Sequence, residues 1–244
     1  MKFCFGLIGL MLLAGACVPP SSSPSAKLAD ARELAGYWIH QGWADSLLAS
    51  GSPLLAHDVV EELSMLLISG QAGDTIPVGY GFHEGGEFVL TALPSGWALT
   101  LPDNPEPVHR LELRNGKLMV DSVVFIKLPS TAEDIYTWAL DTLIGGTYDM
   151  GGKTVGILPD GRITGMDSIG YAEVQLDFEA EDRYADHIRL SPDTLQRGTW
   201  YAYKVQQDTL WLYTLRCEYE PEPGEDCYQH VPDKVWKKLV RISR

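Results

Sequence analysis

The stretch Leu111-Glu112-Leu113-Arg114-Asn115-Gly116-Lys117-Leu118-Met119-Val120 decides the fold class. Apolar and polar residues alternate on both sides of Asn115-Gly116, the period of a strand with one buried face. Asparagine and glycine both accept positive φ, which a two-residue hairpin turn requires at its two central positions. A lone hairpin is barely stable in water, so further strands are needed to cover its apolar face. They are present on the N-terminal side. Segments 62–69, 76–82, 87–92, 97–101 and 108–113 are short and apolar, with Gly-Asp and His83-Glu84-Gly85-Gly86 reading as turns. Segment 123–128 extends the series past the hairpin.

Residues 130–143 interrupt it. Ser130-Thr131-Ala132-Glu133 offers a helix cap with Glu133 in the capping-box position. Ile135, Trp138, Ala139, Thr142 and Leu143 then share one helical face. Strand-like segments resume at 146–150, 154–158, 162–166, 171–178, 184–190, 200–206, 209–217 and 235–242, with turns at Asp160-Gly161 and Gln207-Asp208. Segment 209–217 is apolar or aromatic on both faces, which predicts a central strand. Toward the N-terminus, a short amphipathic helix begins near Leu28. Residues 43–48 and 54–60 read as helical turns around Gly51-Ser52-Pro53. Many short strands with glycine-rich turns and few helices predict a mainly β protein, an antiparallel sandwich or barrel.

The order helix, glycine, aromatic, strands occurs twice. Leu34-Ala35-Gly36-Tyr37-Trp38 aligns with Ile144-Gly145-Gly146-Thr147-Tyr148, and each half ends on an apolar-basic strand carrying Lys127 or Lys237, Lys238 and Arg241. The identities are few, and one larger sheet is the alternative to two units. Gly36-Tyr37-Trp38 after a short helix resembles the G-x-W entry of lipocalins and lipocalin-like bacterial domains. Tyr148 replaces the tryptophan in the second half. The resemblance implies antiparallel barrels over 34–128 and 144–242, with Trp38 closing a floor beneath a basic residue of the last strand. The expected organisation is a first unit at 28–128, a connecting helix at 129–143 and a second unit at 144–244.

The chain opens on a short start carrying Lys2, followed by an apolar run over 3–13 and the small residues Ala14-Gly15-Ala16 before Cys17. That order fits a secretory signal peptide over 1–16. Cysteine at the cut resembles the lipobox of bacterial lipoproteins, which implies lipid on Cys17 and a place in the cell envelope; no Asp follows Cys17, which in many Gram-negative bacteria implies the outer membrane. Ala14 stands where that box usually has leucine, and Ala14-Gly15-Ala16 equally fits ordinary signal peptidase, which would release a periplasmic or secreted soluble protein. Residues 17–27, rich in proline and serine, read as a flexible tether. Cys4 leaves with the signal, so Cys217 and Cys227 remain. In an oxidising setting they predict a disulfide across an acidic loop. A redox-active pair is the alternative, but it favours closer spacing and electropositive surroundings.

A net charge of −14 argues against nucleic acid, whose phosphates need Lys/Arg, and against a polybasic membrane binder. His83, Glu84 and Glu87 suggest a metal, yet H-E-x-x-H is missing and His40, His57 and His109 are scattered, so no metal or cofactor is expected. The acidic loop 218–226 lacks the EF-hand spacing for calcium. Glu173/Asp177 and Glu179/Glu181 have the even spacing that puts a carboxylate pair on one side of a strand; solvated carboxylates give the same pattern. Trp38, Tyr80, Tyr148 and Trp211 are the candidate lining of a pocket for a small apolar ligand, against ordinary aromatic packing. Three functions follow: a lipid-anchored, non-enzymatic binding module; a scaffold lipoprotein with filled cores; and an envelope hydrolase working through paired carboxylates.

Overall fold

A computed structural model describes residues 30–60, 62–82, 84–132, 134–178, 184–220, 227 and 229–243. The signal peptide, Cys17 and the tether lie outside the described residues, as do His83, Glu133, Glu179, Glu181 and 221–226.

The protein is mainly β and forms two eight-stranded antiparallel barrels. The first contains β1 Gly36–His40, β2 Leu63–Ile68, β3 Thr75–Tyr80, β4 Glu84–Leu93, β5 Gly96–Leu101, β6 Asn104–Arg114, β7 Lys117–Val120 and β8 Val123–Lys127. Neighbours in sequence are neighbours in space, and β8 returns to pair with β1, Ile126 opposite Ile39. The second contains β9 Gly146–Asp149, β10 Thr154–Ile157, β11 Ile163–Thr164, β12 Tyr171–Val174, β13 Asp186–Ser191, β14 Thr199–Gln206, β15 Thr209–Cys217 and β16 His230–Ser243. Here β16 pairs with β9. The ring stays short of full closure between β11 and β12. An Arg162–Tyr171 bridge spans that seam, with Ile163 N donating to Gly170 O and Ala172 N to Gly161 O, both at 2.8 Å. Closure of this kind disposes of the exposed sheet edges that invite aggregation.

Local chemistry accounts for the elements. Asn115 and Gly116 both have positive φ, 52° and 75°, and Leu113 faces Leu118 across the hairpin. β15 is central, between β14 and β16. The turn expected at Glu84-Gly85-Gly86 is not there: β4 begins at Glu84, and the turn falls on Gly81 and Phe82, at φ 55° and 69°. Gly86 lies within the strand, where a Cβ would come 2.9 Å from the Tyr80 ring. The glycine is there for close approach, not for a turn. The helix cap also differs from expectation. α4, Ile135–Ile144, is capped by Asp134, whose carboxylate accepts from Thr137 N at 2.8 Å while Thr137 Oγ1 accepts from Asp134 N at 3.1 Å.

The two barrels differ at one connection. β9 passes to β10 through a tight turn in which Met150 N donates to Lys153 O at 2.8 Å. Between β1 and β2 stand α2, Gln41–Ser50, and α3, Pro53–His57. Trp43, Ala44, Leu47 and Ala56 from these helices are fully buried in one cluster with Leu143, Tyr148, Leu212 and Leu239 of the second unit. Ser52 Oγ and Leu54 N both donate to Asp186 Oδ1 at 2.9 Å. Burial of Asp186 nevertheless raises its pKa, outweighing those two bonds. An arm of the first barrel is therefore part of the second barrel's core.

Cys217 and Cys227 form a disulfide. In the chain-entropy model a loop of this length stabilises by roughly 2–3 kcal/mol. Reduction and alkylation should lower the free energy of unfolding by that amount, read from denaturant midpoints. No change would mean that the loop is equally constrained without the bond.

Candidate ligand-binding site

One end of each barrel is plugged by the same device. In the first, α1 (Ala31–Leu34) leads into β1, and Trp38 Nε1 donates to Leu34 O at 2.7 Å. The Lys127 ammonium sits 5.6 Å over the indole centroid. In the second, α4 leads into β9, and Tyr148 OH donates to Ile144 O at 2.6 Å while accepting from Arg241 Nη2 at 2.8 Å. Arg241 Nη2 also donates to Leu143 O at 3.0 Å. Both aromatics are almost wholly buried, at 1% exposure. The glycine two residues before each has positive φ, 133° at Gly36 and 139° at Gly146. A Cβ at Gly36 would lie 2.3 Å from Lys127 Cε, so a side chain there would displace the lysine as well as strain the backbone.

The opposite end of the first barrel is open. The end of β1, the start of β2, the end of β7 and the start of β8 meet there around a cleft of about 340 Å³. Val59, Leu63, Val120, Val123 and Phe125 form its apolar wall, and His40, His109, Glu62, Asp121 and Ser122 are its polar groups. Below it the barrel is filled by Leu66, Ile76, Phe88, Leu90 and Leu99, packed on Trp38.

Both imidazoles are held by the backbone framework. His40 caps α2: its Nδ1 accepts from Trp43 N at 3.1 Å, and its ring meets Phe125 edge-on at 5.8 Å. His109 Nδ1 lies 2.9 Å from Asp121 Oδ2, and Asp121 Oδ1 accepts from Arg110 N at 2.9 Å. Burial holds the His40 pKa below the ordinary histidine value. A lowered histidine pKa means that the unfolded chain binds the proton first. This stability contribution is complete above about pH 6.5 and is lost as pH falls toward the folded pKa. Protonation also removes the cap acceptor, and such caps contribute about 0.5–2 kcal/mol. His40→Asn keeps a capping side chain that does not titrate, so it should flatten the decline in denaturant midpoint between pH 7.5 and 5.5. Parallel profiles for the two proteins would rule His40 out as the source.

The four aromatics proposed from sequence do not share this site. Trp38 and Tyr148 are floors of different barrels. Tyr80 lies on β3 opposite Leu63, near the mouth, and burial raises its pKa. Trp211 alternates with the buried Leu210 and Leu212, so it faces outward from β15, beneath Lys238 Nζ at 5.0 Å. Glu173 pairs with Arg189 across β12 and β13. No family model matches this chain. Nor does any curated protein or solved structure. Among the described residues, no group of three or more His, Cys, Asp or Glu is placed to hold a metal ion.

His40 and His109 both line the cleft, and sequence spacing hides that they share it. Strand parity is the available signal. His40 follows Trp38 by two positions, and His109 precedes Leu111 and Leu113 by two and four, so each histidine shares the inward face of its strand.

Proposed function

We propose that this is an exported binding module, held in the bacterial cell envelope by lipid on Cys17, whose first barrel takes a small ligand with an apolar body at its mouth. The observation that carries the reading is the cleft of about 340 Å³ above a plugged and filled barrel. That volume is at the lower end of small-molecule sites, which combine apolar walls with a few placed polar groups. The resemblance of Gly36-Tyr37-Trp38 to the lipocalin entry supports the same assignment, as does an up-and-down ring of eight strands, whose interior has room for one small ligand. The membrane part rests on the leader sequence. Among the described residues no helix is long and apolar enough to cross a membrane.

The second barrel favours a supporting role. Its interior is occupied by Tyr148, Ile188, Leu210, Leu212 and Leu239 together with side chains from α2 and α4. We assign it as a platform that holds the arm next to the mouth of the first barrel.

Two measurements test these assignments. N-phenyl-1-naphthylamine should brighten on binding the mature chain and lose that signal in Val123→Trp, which fills the cleft. A signal that survives Val123→Trp would move the site elsewhere. Mass spectrometry of the mature N-terminus should find acylated Cys17, and a free thiol there would overturn the anchor.

A further inference from the structure

We propose that the ligand of the first barrel's mouth is an uncharged amphiphile with a hydroxyl head, received by His40 as donor and His109 as acceptor. This rests on the reading of that mouth as a binding site and says which chemistry it selects.

The two imidazoles are fixed in opposite tautomers. His40 Nδ1 accepts from a backbone N–H. A ring nitrogen that accepts carries no proton, so the neutral ring has its proton on Nε2. The His109 arrangement is reversed. A carboxylate only accepts, so His109 Nδ1 carries the proton shared with Asp121, and the neutral ring has its lone pair on Nε2. Asp121 cannot turn away without giving up the Arg110 N–H. Neither Nε2 has a hydrogen-bond partner among the described residues. The two imidazoles, in these neutral tautomers, therefore offer the cleft one donor and one acceptor beside Glu62, Asp121 and Ser122.

A hydroxyl satisfies both groups, because its oxygen accepts while its proton is donated. A carboxylate head meets the His40 N–H but presents lone pairs to His109 Nε2, with Glu62 and Asp121 adding like-charge repulsion. An ammonium head suits Glu62 and His109 but faces the His40 N–H with another donor. Burial keeps His40 uncharged near neutral pH, which maintains the donor-acceptor pairing. Leu63, Val123 and Phe125 take the apolar chain.

The test compares octan-1-ol, octanoate and octylammonium by titration calorimetry at pH 7.5. The protein is the mature chain with Cys17→Ser, so no detergent competes for the cleft. Octan-1-ol should bind about tenfold more tightly than either ion. His40→Asn keeps the helix cap and His109→Asn keeps a donor for Asp121, while each removes one ligand contact. Each should weaken octan-1-ol about two- to tenfold, the worth of one hydrogen bond, with an unchanged unfolding midpoint at pH 7.5. If an ion binds as tightly as the alcohol, or if neither variant changes the alcohol's affinity, the head-group assignment fails, and the site reading survives provided Val123→Trp abolishes binding. If none of the three probes binds, or binding persists in Val123→Trp, the reading of the mouth itself falls.

Discussion

Trp38→Ala is expected to reduce the free energy of unfolding by about 3–5 kcal/mol, the range for removing a large aromatic from a close-packed core. Three losses act together. The indole leaves a void in contact with a filled barrel. The Leu34 carbonyl loses its Nε1–H donor, and Lys127 loses the ring beneath it. Trp38→Phe separates them, because it keeps most of the packing but strips the donor, and it should cost about 1–3 kcal/mol, the penalty for a buried acceptor left unpaired. Denaturant unfolding of the three proteins gives both differences. A change below about 1 kcal/mol for the alanine variant would mean that the floor closes without the indole, and the G-x-W likeness would be accidental.

The same comparison shows why the floor could be read from sequence. Gly36 and Gly146 each need positive φ, and each stands two residues before the buried aromatic. These requirements lie within five consecutive residues, so they survive as a motif. Asn115-Gly116 is legible for the same reason: the turn geometry is specified by the residues that make it. The mouth is different. His40 and His109 line one cleft only because β1, β8, β7 and β6 are successive strands of a closed ring. Parity tells which way each histidine points, but not which strands will face each other across the barrel. Gly85-Gly86 misleads through its ambiguity, since glycine serves equally for a turn and for the passage of the Tyr80 ring. Trp211 is a candidate for a pocket lining only as an aromatic side chain, and a central strand can also carry such a ring on its outer face when Lys238 covers it.

Trp43→Ala is the second large effect, and it tests what no local pattern revealed. Trp43 belongs to the arm between β1 and β2, yet it is completely buried with the second unit's residues, 4.5 Å from the Phe82 ring and 5.9 Å from that of Trp138 in α4. An amphipathic helix of ten residues announces that one face will be buried, not which core will bury it. Because this core joins both barrels, we expect the intact protein to unfold in one transition, and Trp43→Ala to lower that transition by about 3–5 kcal/mol. Trp43→Phe should stay within about 1 kcal/mol of the parent. It keeps an aromatic ring against Phe82, and it removes an Nε1–H that is buried without an acceptor among the described residues, so the lost packing is offset by a donor that no longer needs a partner. Intrinsic fluorescence and far-ultraviolet circular dichroism should report the same midpoint for each protein. If Trp43→Ala costs less than about 1 kcal/mol, the arm rests on the second barrel without stabilising it, and the two barrels fold as independent units despite the core they share.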